Sequence, residues 1–100
     1  MATEVLYNES TAGTTTDDVV INADQGMVTF CASGLAGGED IVVQQKVNGN
    51  YVAIVESGAA IVINTDNTNQ SCRGPAVIRF VIPSTAGNVS LVKYDRYPDA

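Results

Sequence analysis

Histidine and tryptophan are both absent from the chain of 100 residues. Without histidine the commonest general base and the commonest metal ligand are gone. Neither cysteine then has an imidazole partner to make it a catalytic thiolate. Cations are scarce: five Lys and Arg stand against eleven Asp and Glu, for a net charge of −6. Nucleic-acid grooves and polybasic membrane contacts both need clustered positive charge, so neither nucleic acid nor a membrane is an expected partner. The six aromatic residues leave little for a broad stacking platform. Long apolar runs are missing too. The longest mostly apolar stretch, Gly58 to Ile63, falls far short of the ~18 residues that span a bilayer. The opening Met1-Ala2-Thr3-Glu4-Val5-Leu6-Tyr7 lacks the basic and apolar regions of a signal peptide, so synthesis in a cytoplasm is expected.

Only Cys31 and Cys72 carry thiols, too few for a disulfide scaffold. Cys31, within Val28-Thr29-Phe30-Cys31-Ala32, reads as a small buried hydrophobe. A 31–72 pairing is left open, disfavoured in a reducing compartment.

What fills the chain is valine, isoleucine and threonine, the β-branched residues that favour strands. Clusters of Gly, Asn, Asp and Ser punctuate them, and the spacing predicts about eight short strands with little helix. These are residues 4–8, 18–22, 27–32, 40–47, 51–56, 59–64, 76–82 and 88–95, with polar links at 9–16 and 65–73. Asn48-Gly49 between two such runs is hairpin chemistry, because both residues tolerate the positive φ of a type I′ turn. Residues 76–82 alternate most sharply, Ile78, Phe80 and Ile82 on one side and Val77, Arg79 and Val81 on the other. Strands at this spacing predict an all-β fold, an antiparallel β-sandwich, jelly-roll-like or Ig-like. The expected organisation is one sandwich over residues 1–100, with 1–16 and 95–100 as extended arms. Its expected core is Val28, Phe30, Ile41, Val43, Ile54, Ile63, Ile78, Phe80, Ile82 and Leu91.

No pattern assembles a catalytic or cofactor site, so no enzyme, metal or cofactor is expected. Asp17-Asp18 and Glu39-Asp40 are adjacent in strands, where neighbours point to opposite faces, and read as solvated strand ends. Asn64 to Asn69 lacks the Gly and the terminal Glu of a calcium loop. Gly34, Gly37 and Gly38 lie between strands, with no Lys-Ser or Lys-Thr after them, and read as a turn rather than a phosphate cradle. Arg79 faces either solvent or a partner's charge, and Arg73 beside Gly74-Pro75 is the other candidate interface charge.

Several stretches taken together resemble small virion proteins of tailed, podovirus-like bacteriophages. They are Gly26-Met27-Val28-Thr29-Phe30, Gly34-Leu35-Ala36-Gly37-Gly38-Glu39, Val43-Gln44-Gln45-Lys46, Asn48-Gly49-Asn50-Tyr51 and Gly74-Pro75-Ala76-Val77-Ile78-Arg79. The resemblance runs from Asp18 to Lys93; Ala76 and Ile78 stand where those proteins often carry Gly and Tyr. It implies a β-sandwich that decorates or cements a capsid, with the major capsid protein as partner and the virion surface as its location. A homo-oligomer is expected, a trimer over a dimer. The candidate interface is Val5, Leu6, Tyr7, Arg73, Tyr94 and Tyr97, apolar or charged groups toward the two ends and on the 65–73 segment. The alternative is a small binding module, of tail-fibre or carbohydrate-binding type, in which Tyr7, Tyr51, Tyr94 and Tyr97 stack on a sugar.

Overall fold

A computed structural model describes residues 3–94. The fold is an antiparallel β-sandwich. Its elements are β1 (Thr3–Ser10), β2 (Thr14–Thr15), β3 (Val19–Ile21), a 3-10 turn (Ala23–Gln25), β4 (Met27–Ser33), β5 (Ile41–Val47) and β6 (Asn50–Ala53). They continue with β7 (Val55–Glu56), β8 (Ala59–Ala60), β9 (Val62–Ile63), β10 (Asn69–Arg73), β11 (Ala76–Ile82) and β12 (Val89–Tyr94).

The first sheet has the order β1-β12-β4-β10. In the second, β11 is bonded by β2 and β3 on one side and by β5 on the other; β6 and β9 share the far side of β5. The hairpin β7-β8 leaves this last edge between Ile54, whose amide donates to Val43, and Ile61, whose amide donates to Ile54.

The strands alternate as their sequences require, and the inward residues of both sheets meet in a sealed core. Val28, Phe30, Val89 and Leu91 come from the first sheet, and Ile41, Val43, Ile63, Ile78 and Phe80 from the second; all are fully buried. The rings of Phe30 and Phe80 meet across the layers at 4.7 Å and a tilt of 55°, the inclined geometry that aromatic quadrupoles prefer.

Two turns show how local chemistry sets the register. Asn48 and Gly49 both hold positive φ, 50° and 81°, as the hairpin chemistry requires, and this fixes the pairs Val47 with Asn50 and Lys46 with Tyr51. At the end of β4, Gly34 has φ +89°, and a Cβ there would overlap the carbonyl oxygen of Asn88; only glycine serves at this crossing.

Several expectations need correction. Among the described residues the strands number twelve rather than about eight, because the early segment supplies a short extra strand, β2, the 65–73 segment supplies β10, and two expected strands each break in two around the β7-β8 excursion. The 65–73 segment is not all loop: Asn69–Arg73 forms β10, in five consecutive pairs with β4. β1 runs on to Ser10, and β2 lies within the expected polar link. Cys31 is only half-buried and both cysteines are free. It is Val28, Phe30 and Ala32 that point inward, so period two carries Cys31 to the outer face. Ile54, at the break between β6 and β7, packs against the core without being enclosed. Val19, Ile21, Ala32 and Val89 join the core as well.

Candidate functional site

The outer face of the second sheet carries the densest group of interacting charged and aromatic side chains. Strand alternation turns Val77, Arg79 and Val81 of β11 outward, with Gln44 and Lys46 of β5 and Tyr51 of β6. Register places Arg79 opposite Gln44, and Lys46 opposite Tyr51. The Arg79 Nε donates to Gln44 Oε1 at 2.7 Å, and its guanidinium carbon sits 3.4 Å from the Tyr51 ring centroid. A planar cation flat on a ring is attracted by the π face while its edge donors stay usable.

Asp18, just before β3, completes the group. Its Oδ1 accepts from the Tyr51 hydroxyl at 2.6 Å, and its Oδ2 lies 3.6 Å from Lys46 Nζ. Ionising Tyr51 would lose that donated hydrogen bond and set its charge beside Asp18, so the phenol is held above its ordinary value of 10.0, the hydrogen bond being the first cause. Valines frame the cluster: Val20 is 53% exposed, and Val42, Val77 and Val81 are half-buried. The cluster is thus a set of mutually bonded side chains on adjacent strands and the segment before β3, with an apolar surround.

The sequence-derived interface residues fall elsewhere. Val5, 56% exposed, and Tyr94 lie on neighbouring strands of the first sheet, where Val5 pairs with Val92 and Tyr94 with Thr3. Arg73 stands exposed at the end of β10, on the opposite edge of that sheet. Leu6 and Tyr7 pack against the molecule's own core, and the Tyr7 hydroxyl accepts from the Gly13 amide at 3.0 Å. Tyr97 lies outside the described residues.

Both acidic pairs lie just before a strand rather than in one, ahead of β3 and of β5, so strand alternation does not place them; hydrogen bonding sends Glu39 and Asp40 different ways. The Glu39 carboxylate accepts from the amides of Ala36 and Ala86, each at 2.8 Å, and so ties two loops together. Asp40 accepts instead from Asn64 Nδ2. Asn64 Oδ1 in turn accepts from the amides of Asp66 and Asn67, an Asx turn that uses the loop's oxygen on itself. Among the described residues, no group of three or more His, Cys, Asp or Glu is placed to hold a metal ion.

Sequence reasoning singled out Arg79 but missed its partners. Asp18 read as a solvated strand end, Gln44 entered only within a resembling stretch and Tyr51 only as a candidate sugar-stacking ring; the observed fold joins them to Arg79.

No protein-family model matches the chain, and no curated protein sequence does. A solved structure is similar: the crystal structure of the SPBc2 prophage-derived protein YomS superposes with a TM-score of 0.67. The match covers 92% of this chain and 88% of that one, at 16% sequence identity. The likeness is therefore one of fold, over nearly the whole of both chains.

Proposed function

We propose that this chain is a structural virion protein that binds the outer surface of a phage capsid and stabilises it by contact, as a decoration or cement protein. The observation that carries the reading is the shared fold with a prophage-derived protein over 92% of the chain. The outer face of the second sheet supports it, because a protein that works by contact needs ordered side chains on a rigid scaffold. A trimer on the capsid surface, facing the major capsid protein, is the form of the proposal.

The test is to add the purified protein to phage heads that lack it and to sediment the mixture. Saturable co-sedimentation, with heads that withstand a higher temperature, is the expected result. Failure to bind heads, together with selective retention on immobilised glycans, overturns it in favour of a carbohydrate-binding module. That alternative must contend with Tyr51, one of whose ring faces is already covered by Arg79.

A further inference from the structure

On one side the second sheet runs on past the first. Among the described residues β10 is the outermost strand of the first sheet there, while the second continues beyond β5 into β6, β9 and the β7-β8 hairpin. Between β10 and these strands lies a groove of about 310 Å³, whose apolar lining includes Ile54, Ile61, Cys72 and Ala76. Gln45 lines it too. Val52 is paired with Gln45, and Val47 lies two residues further along β5. Directly opposed residues share a face, as do alternate residues of a strand, so both valines carry the face of Gln45 outward past the groove.

These valines are left to water. Of the five exposed large hydrophobic residues among those described, three stand on this overhang: Val47 at 46%, Val52 at 44% and Val55 at 61% exposed. Single exposed valines are common, but three gathered beside a recess mark a contact surface. The recess and the projecting valines are neighbours, so one surface offers both a hollow and the side chains that fill one.

Charge says what meets this surface. Arg73 and Glu56 both line the groove, and both are exposed. Among the described residues neither side chain makes an ion pair or a hydrogen bond, with the other or with any third group. An acidic ligand meets repulsion from Glu56 and a basic one from Arg73. A two-fold axis turns the mixture into a match, because in an isologous contact residue i of one copy meets j of the other and j meets i. We infer that this overhang is a contact between two copies of the chain. Val47 and Val52 of each pack toward the groove of the other, and Arg73 of each pairs with Glu56 of the partner subunit. The net charge of −6 on each copy opposes their approach. Charges more than about 8 Å apart are screened at physiological ionic strength, however, whereas paired charges in contact are not. The inference does not rest on the capsid reading. It concerns free copies and makes their contact two-fold; three copies on a capsid would meet through other surfaces.

The test is sedimentation equilibrium of the whole protein at concentrations up to about 1 mM, the Kd scale of a weak contact. Monomer and dimer, and nothing larger, are expected. Arg73→Glu and Glu56→Arg should each weaken the dimer about tenfold, since each replaces two attractive contacts by two repulsive ones. Mixed in equal amounts, the two variants should associate as the wild type does, because positions 73 and 56 then face each other with opposite charge at both ends. Val52→Asp should abolish the dimer. That residue is exposed, so the amide spectrum should remain that of the folded protein, which separates loss of contact from loss of fold. A monomer at every concentration overturns the inference, and so does a trimer. A dimer indifferent to the charge reversals, or a mixture no stronger than its two components, overturns it as well. Each of these failures leaves the capsid reading standing, since co-sedimentation with heads tests that separately.

Discussion

Two faces of one strand divide the molecule's work. On β11, Ile78, Phe80 and Ile82 are sealed against the opposite sheet, while Val77, Arg79 and Val81, one residue out of phase, are half-exposed. Both sets are rich in β-branched side chains, so hydrophobicity alone does not choose between them. What separates them is the partner: the inner face packs in one cluster with Phe30 and Leu91, whereas the outer face carries the bonded group of Arg79, Gln44, Tyr51 and Asp18. The partly apolar outer face thus carries a polar cluster at its centre, whereas the inner face carries none.

The sharpest way to break this comparison is from the inside. Phe80→Ala should cost about 3–5 kcal/mol, because it removes a fully buried ring and leaves a cavity beside Phe30. Denaturant melts measure it, and a loss below about 1 kcal/mol would show that the core closes without this residue.

The next effect is alkaline. Burial pushes the Cys72 thiol from its ordinary 9.0 up to about 11, since the thiolate loses hydration where it packs against the core. A thiol whose folded pKa is raised contributes its full stability below pH 9.0, and that contribution is lost as pH rises toward about 11. The wild type should therefore lose on the order of 1 kcal/mol more than Cys72→Ala across that window. Parallel melting curves for the two proteins would refute the burial argument. Smaller again, Val77→Ala on the half-exposed face should cost less than about 1 kcal/mol by the same melts; a cost near that of Phe80→Ala would erase the distinction between the faces.

These contrasts also mark how much the sequence disclosed. The alternation of residues 76–82, the Asn48-Gly49 turn and nine of the ten expected core residues were legible, because each is a local matter of period or turn chemistry. β10 was not. Asn69-Gln70-Ser71-Cys72-Arg73 has no β-branched residue, and its extended shape is imposed by β4, where Thr29 Oγ1 and Ser71 Oγ lie 3.0 Å apart. Cys31 was misread because a run of apolar residues hid a period of two. Of the candidate surfaces, Arg73 and Arg79 stood out as charges among neutral neighbours, but the groups around them come from distant segments. Asp18, Gln44 and Tyr51 become neighbours only through strand register, a tertiary property that no short window of sequence contains.

The finest prediction sharpens the outer face itself. If Asp18 holds Tyr51 in its protonated, hydrogen-bonded form, Asp18→Asn should let the phenol ionise at lower pH, because the mutation removes the carboxylate whose hydrogen bond and charge oppose the phenolate. Lys46 and Arg79, both near the ring, remain and favour the phenolate. The stability change should be small, since the cluster is exposed and screened. The readout is therefore the ionisation of Tyr51 in a ¹³C-labelled tyrosine titration, with Tyr51→Phe assigning the resonance. An unchanged midpoint in Asp18→Asn would mean that the carboxylate does not govern the ring, and that Arg79 alone fixes the centre of this face.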